Sequence, residues 1–257
     1  MSSLTLTFND NMLGIHTPLL PGGSLGVCYL ETYCRAGSTH RDWGQTAMMY
    51  EAETLCLSDD GSRLRLRHRV CDGTVVEHEI TAGTDEVNFR LTARNPTDKP
   101  TEAVWAQPCI RIGRFAGSCD CCGKMDHLGK CFIFLGGELT RLPTHDWATQ
   151  GLYTPGQTWC PEHVCREDVN PRPLSPLVPS NGLIGCFSGD ESLVLATAWE
   201  PYQELFAGVI TCIHSDFRFG PLAPGESRDI HGKIYIVPSD IPALLKRYEA
   251  DFPTHRR

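Results

Sequence analysis

Strict alternation of apolar and polar residues is the feature that most restricts the fold of this chain. In residues 63–70, arginine at every odd position alternates with leucine, histidine or valine at every even one. Residues 87–94 alternate in the same way. A period of two places successive side chains on opposite faces of a strand, so one face of each segment is expected to be buried. The pattern therefore predicts half-buried antiparallel strands.

Turn residues separate such strands along most of the chain, for example at Asp59-Asp60-Gly61 and Asp72-Gly73. Short strands with turn residues between them are typical of all-β proteins. Residues 239–252 instead predict a helix, with Ser239 or Asp240 as its cap and Pro242 in its first turn. We expect an all-β, antiparallel β-supersandwich with one C-terminal helix, in a single domain over residues 1–257.

Three local expectations refine this outline. A short helix is expected around residues 41–52, and a strand over residues 208–214. Residues 143–182 are rich in proline and have no apolar period, which predicts a long loop of the kind that often carries function.

Composition excludes several classes of protein. The chain has 31 acidic and 23 basic residues, a net charge of −8, which argues against a nucleic-acid partner. The N-terminus lacks the pattern of a signal peptide, and no apolar window is long enough to span a membrane. The 13 cysteines are therefore expected to be reduced thiols in a cytoplasmic protein. Exposed sheet edges make a homodimer the natural assembly to test.

The arginines of residues 63–70 form one candidate binding surface, with Arg67 near its centre. Like charges on one strand face repel each other unless acidic groups or anions lie opposite. One interpretation is a groove for carboxylate, sulfate or phosphate groups, which arginine binds in a bidentate manner. The alternative is a solvated face paired with Glu77 and Glu79 of the next strand.

A second candidate surface begins at Trp105, which shares one strand face with Gln107 and Arg111. An aromatic ring beside an amide and a guanidinium suits a sugar ring, with Arg114 and Trp199 as further candidates. The alternative is that Trp105 belongs to the core.

His214 and Asp216 are the leading candidates for catalysis. A histidine oriented by a carboxylate is a common general base or acid near neutral pH. Glu200 and Tyr202, on the preceding segment, are candidates for the complementary acid. The alternative is an ordinary histidine in a turn.

A further hypothesis is a zinc site at Cys119, Cys122, Cys160 and His163, which have the spacing of two short metal-binding pairs. The alternative is that these cysteines are free thiols. The sequence has no phosphate-binding glycine loop, no Gly-x-Ser-x-Gly and no His-Glu-x-x-His, so no other cofactor is expected.

Three segments resemble galactose-mutarotase-like proteins. Residues 212–237 contain Leu222-Ala223-Pro224-Gly225-Glu226 and are similar to the closing strands of that group, where such a turn leads into a last strand and a short helix. Residues 89–100 resemble a mid-sheet strand and turn, and residues 105–115 extend the similarity. The whole chain also resembles bacterial proteins of planctomycete type. The resemblance implies two large antiparallel sheets with a sugar bound on a concave face.

The resemblance implies a carbohydrate-active protein with a small-molecule or oligosaccharide ligand. The leading hypothesis is lyase-like elimination from an acidic sugar, with His214 or Tyr202 as base. Arg111, Arg114 and the arginines of residues 63–70 would be the cations. One alternative is an aldose-epimerase-like isomerase, although the epimerases' Asn-His-x-Tyr-Phe-Asn-type segment is missing, so their His/Glu pair is not carried over. Others are a non-catalytic sugar-binding module with Trp105 and Trp199 as platforms, and a zinc-stabilised or metal-dependent protein.

Overall fold

The computed structural model describes residues 3–118, 126–144, 156–169, 174–208 and 211–255. The strands of the first half are β1 (Thr5–Asn9), β2 (Met12–His16), β3 (Ser24–Cys28), β4 (Tyr33–Arg35), β5 (Ala47–Met48), β6 (Tyr50–Leu57), β7 (Arg63–Val70), β8 (Val75–Ala82), β9 (Glu86–Arg94), β10 (Ala103–Ala106) and β11 (Cys109–Arg111). Those of the second half are β12 (Cys131–Leu135), β13 (Glu138–Arg141), β14 (Gly156–Trp159), β15 (Ile184–Phe187), β16 (Leu193–Glu200), β17 (Tyr202–Gly208), β18 (Cys212–Arg218) and β19 (Ser227–Pro238). The α-helices are α1 (Trp43–Thr46) and α2 (Ile241–Asp251).

The strands form two antiparallel sheets. The ten-stranded sheet runs β1-β2-β3-β11-β18-β10-β4-β5, with β17 on β18 and β14 on β17. The nine-stranded sheet runs β13-β12-β15-β16-β19-β9-β8-β7-β6. One hydrophobic cluster contains side chains of both sheets, among them Val27 and Ile213 of the first and Leu66 and Phe89 of the second. The predicted all-β class, with two antiparallel sheets and a C-terminal helix, is confirmed.

Several local predictions are also confirmed. The alternating segments are β7 and β9, and in β7 the even positions are buried while the arginines lie on the other face. Helix α2 begins where expected, because the Asp240 carboxylate accepts a hydrogen bond from the Ala243 backbone N–H. No helix in the described ranges is long and apolar enough to cross a membrane.

Three local predictions need correction. The helix around residues 41–52 is only Trp43–Thr46, because Ala47 and Met48 pair with the edge of β4. The strand over residues 208–214 is wrong, since β17 ends at Gly208 and β18 begins at Cys212. Thr211, between them, has a φ of 54°, which a continuous strand does not contain. The proline-rich loop is interrupted by β14, which adds to the edge of β17.

The core between the sheets contains a polar cluster of histidine and tyrosine. The imidazole Nδ1 atoms of His78 and His68 lie 2.8 Å and 2.9 Å from the hydroxyls of Tyr29 and Tyr33. The centres of the two imidazole rings are 4.2 Å apart. Burial lowers the pKa of His68 to about 3 and that of His78 well below its ordinary value, so both are neutral at pH 7.

We expect this cluster to make the fold sensitive to acid. Below pH 6.5 these two histidines bind protons in the unfolded chain but stay neutral in the folded protein. The free energy of unfolding therefore falls as the pH is lowered from 6.5 towards 3. The loss is about 1.4 kcal/mol per pH unit for each histidine. Urea unfolding at pH 7 and pH 5 measures it. His68→Gln should lose less stability between these pH values than the wild type. The control His40→Gln, at an exposed position, should lose as much stability as the wild type. Equal losses in wild type and His68→Gln would contradict this assignment.

Candidate functional site

The candidate site lies on the face of the ten-stranded sheet that is turned away from the inter-sheet core, which we call the outer face. On β18, Ile213 and Phe217 point into the core, so Cys212, His214 and Asp216 share the outer face. This alternation places three chemically active side chains in one row along a central strand.

The neighbouring strands add further polar groups to this row. Arg111 of β11 lies opposite Cys212 in the strand register, and Glu204 of β17 lies opposite Asp216. Gln107, in the gap between β10 and β11, donates from its amide to Asp216 at 3.3 Å. Apart from Arg111, these side chains are almost completely buried.

The rim of the row is an ion pair. The Arg111 guanidinium lies 3.2 Å from the Glu31 carboxylate, and their side chains are 27% and 28% exposed. This pair is the partly exposed edge of an otherwise buried cluster.

His214 connects the thiols at one end of the row to the carboxylate at the other. Its Nε2 lies 3.4 Å from the Cys212 Sγ, and its Nδ1 lies 3.3 Å from a carboxylate oxygen of Asp216. The ring of Phe206 packs edge-on against the imidazole at 5.1 Å. Contacts on both ring nitrogens and one face fix the orientation of the imidazole.

The charges within the row are strongly coupled. The hydrogen bond from the Cys109 thiol, helped by the nearby His214, lowers the pKa of Cys212 to about 5. Burial by itself would lower the pKa of His214, but the charges of Cys212 and Asp216 raise it well above its ordinary value. Burial raises the pKa of Asp216 to about 6 against the effect of His214. Cys212 and His214 therefore shift each other's pKa towards the charged forms.

Cys109, Cys212 and His214 are also the residues best placed to hold a metal ion. Their ligand atoms lie within 4.8 Å of one another. Of the set predicted from sequence spacing, Cys119 and Cys122 lie outside the described residues. Cys160 is buried, and the exposed His163 packs edge-on against the Tyr202 ring.

The structure brings only part of the predicted catalytic set together. His214, Asp216, Gln107 and Arg111 meet in the row described above. Tyr202 contacts the ring of His255, and the Glu200 carboxylate accepts a hydrogen bond from Thr254.

The remaining binding candidates lie in three different places. Trp105 is buried beside Cys34 and Val104, while Trp199 is buried between the sheets. Arg114 is exposed in the turn after β11.

The arginines of β7 follow the second interpretation, a solvated face paired with glutamates. Arg67 lies 3.0 Å from Glu77 and 3.6 Å from Glu53, and Arg63 lies 2.9 Å from Glu79. Arg94 of β9 also reaches Glu77, at 3.1 Å. The acidic partners on β6 and β8 therefore neutralise much of this face.

We expect Arg67→Gln to have a small effect. Half-exposed ion pairs of this kind contribute about 1 kcal/mol or less to stability, and salt screens them. Urea unfolding of Arg67→Gln should differ from the wild type by no more than this at low salt, and by less in 1 M NaCl. A loss several times larger, unchanged by salt, would contradict the ion-pair interpretation.

Four residues of the site were not predicted from the sequence: Cys109, Cys212, Glu204 and Glu31. Cys212 had a visible signal, because the spacing Cys212-x-His214-x-Asp216 places all three side chains on one face of a strand. Glu204 had none, since every residue of β17 is buried and the strand shows no alternation.

No protein-family model and no curated protein matches the sequence. Solved structures similar to this one include a protein assigned as an aldose 1-epimerase from Escherichia coli K12, with 12% identity, 91% of this chain and 98% of that chain covered, and a TM-score of 0.46. Galactose mutarotase-like proteins from Lactobacillus casei and Clostridium acetobutylicum match at 8% identity each. Both matches cover 91% of this chain. The first covers 99% of the Lactobacillus protein with a TM-score of 0.46, and the second covers 94% of the Clostridium protein with a TM-score of 0.41. These are the kind of protein that the sequence resembles, and such distant likeness says nothing about activity or ligand.

Proposed function

We propose that the protein is a carbohydrate isomerase whose sugar binds at the outer face of the ten-stranded sheet. The observation that carries the proposal is a pair of buried carboxyl groups, Glu204 and Asp216, directly opposite each other on neighbouring strands. Directly opposed side chains have Cβ atoms about 5 Å apart. Burying two acids beside a histidine costs stability, and such arrangements are concentrated at functional sites.

Two carboxyl groups at this separation suit the interconversion of sugar isomers. One takes the proton of the anomeric hydroxyl, the bond between the anomeric carbon and the ring oxygen breaks, and the other gives a proton to the ring oxygen. The resulting open chain closes again from either face. We assign the base to Glu204 and the acid to Asp216, which His214 and Gln107 hold in position.

The placement of the other candidates favours isomerisation over elimination or simple binding. Elimination from an acidic sugar needs cations that stabilise an enolate. Arg67 is already paired with glutamates and Arg111 with Glu31. A binding module would use its aromatic rings on the outer face, whereas Trp199 packs in the core between the sheets.

Exchange NMR on a panel of sugars tests the proposal. The full chain is mixed with neutral aldoses, uronic acids and short oligosaccharides, and exchange between their anomeric signals is recorded with and without protein. We expect faster exchange for at least one aldose, and no unsaturated product. Unsaturated product from a uronic acid, or exchange at the protein-free rate throughout the panel, would contradict the proposal.

A further inference from the structure

We propose that Cys109, Cys212 and His214 form a zinc site in the outer face of the ten-stranded sheet. Two Sγ atoms and one imidazole nitrogen lie within 4.8 Å of one another, and all three side chains are at most 2% exposed. Two thiolates and an imidazole bind Zn²⁺ in preference to harder cations such as Mg²⁺ or Ca²⁺.

The strand register builds this set from two central strands. Cys212 and His214 are two residues apart on β18 and therefore share a face. On β11, Ile110 pairs with Ile213, so Cys109 lies beside His214. Hydrogen-bonded strands inside a sheet hold ligands more rigidly than loops do.

The distance between donor atoms fits a tetrahedral ion. Zinc bonds to sulfur at about 2.3 Å and to nitrogen at about 2.1 Å, so a tetrahedral site separates these atoms by about 3.6 Å. The Cys212 Sγ and the His214 Nε2 are 3.4 Å apart. These two donor atoms therefore need to move by only a few tenths of an ångström to bind the ion.

The surroundings of His214 are those of a metal ligand. Its Nδ1 faces Asp216 at 3.3 Å, and the Gln107 amide donates to the other oxygen of that carboxylate. Histidines that bind metals commonly present the second ring nitrogen to a carboxylate, which directs the first one at the ion. Cys28 lies opposite Cys109 in the register and packs against the same cluster, at the edge of the site.

This inference concerns the same face as the proposed function but does not require that a sugar binds. With the ion bound, His214 is a ligand, and proton transfer stays with Glu204 and Asp216. Within the described ranges, Cys109, Cys212 and His214 are the one group of three donors this close together. Cys131 and Cys186 provide a matched control, because they are also buried and opposed in the register but do not belong to such a group.

Metal analysis of the full chain tests the site. The protein is produced with added zinc, dialysed and analysed for metal, and Co²⁺ is then exchanged for the zinc. We expect one zinc per chain, and for Co²⁺ the strong visible absorption of a tetrahedral thiolate site. Cys109→Ser, Cys212→Ser and His214→Asn should each lower zinc content at least tenfold, whereas Cys186→Ser should retain it.

A measurement on the wild type covers variants that fail to fold. Alkylation with and without zinc, read by mass spectrometry, identifies the cysteines that the metal protects. Cys109 and Cys212 are buried and therefore react slowly even without zinc, and we expect zinc to lower their alkylation rates at least tenfold further. The exposed Cys56 should react equally in both conditions. Protein that contains no metal would overturn the site. So would zinc that Cys160→Ser and His163→Ala remove and that leaves the alkylation of Cys109 and Cys212 unchanged. Neither measurement involves a sugar. The zinc site can therefore be confirmed or overturned even if the protein does not isomerise any sugar.

Discussion

Replacing Glu204 by Gln is expected to slow sugar isomerisation by about 10²–10⁴-fold, the usual contribution of a positioned acid or base. The substitution keeps the shape of the side chain and removes the ability to take a proton. Asp216→Asn should reduce the rate to a similar extent, because it removes the partner acid. Exchange NMR with the sugar that the wild type converts fastest gives both rates.

The control for these variants is Glu79→Gln, on the nine-stranded sheet. Glu79 is also a strand carboxylate, but it pairs with the half-exposed Arg63 and is remote from the row. We expect a wild-type rate from Glu79→Gln. Wild-type rates from Glu204→Gln and Asp216→Asn in folded protein would remove both carboxyl groups from the mechanism.

Trp199→Ala is expected to lower the free energy of unfolding by about 3–5 kcal/mol, the cost of deleting a large buried aromatic side chain. The indole is 1% exposed, and its ring centre lies 4.7 Å from that of Phe217 and 5.1 Å from that of Phe89. It also covers Gly232 so closely that an added Cβ would lie 2.3 Å from the ring. Urea unfolding monitored by circular dichroism measures the loss.

Two further variants separate packing from sugar binding. Gly232→Ala should also destabilise the protein, since the new methyl group would collide with the indole of Trp199. Trp199→Phe should keep most of the stability and the wild-type sugar affinity. A large loss of affinity in stably folded Trp199→Phe would instead support the stacking platform expected from the sequence.

The sheets could be predicted because their strands are half-buried. In β7 and β9 one face is buried and the other faces solvent, so apolar and polar residues alternate in the sequence. In β17, by contrast, every residue is buried, and no alternation exists to reveal the strand or the role of Glu204. The missing alternation therefore explains why β17 and Glu204 were not predicted from the sequence.

The candidate site was predicted in part for the same reason. His214 and Asp216 stood out because two side chains at a spacing of two must share a strand face. The partners of these residues come from other strands, and only the register reveals them: Glu204 opposite Asp216, and Cys109 beside His214. The register also sets glutamates opposite the arginines of β7, as the second interpretation of that face expected.

Histidine NMR tests the location of the sugar site most directly, because each sheet has a histidine on its outer face. His214 lies in the row, whereas His231 of β19 lies beside Arg90 and Glu200 on the nine-stranded sheet. With ¹³C-labelled histidine, assigned through His214→Asn and His231→Asn, the best aldose of the panel is titrated into the wild type. We predict that the His214 signal shifts with saturation while the His231 signal stays in place. A shift of His231 with an unmoved His214 would contradict a sugar site on the ten-stranded sheet.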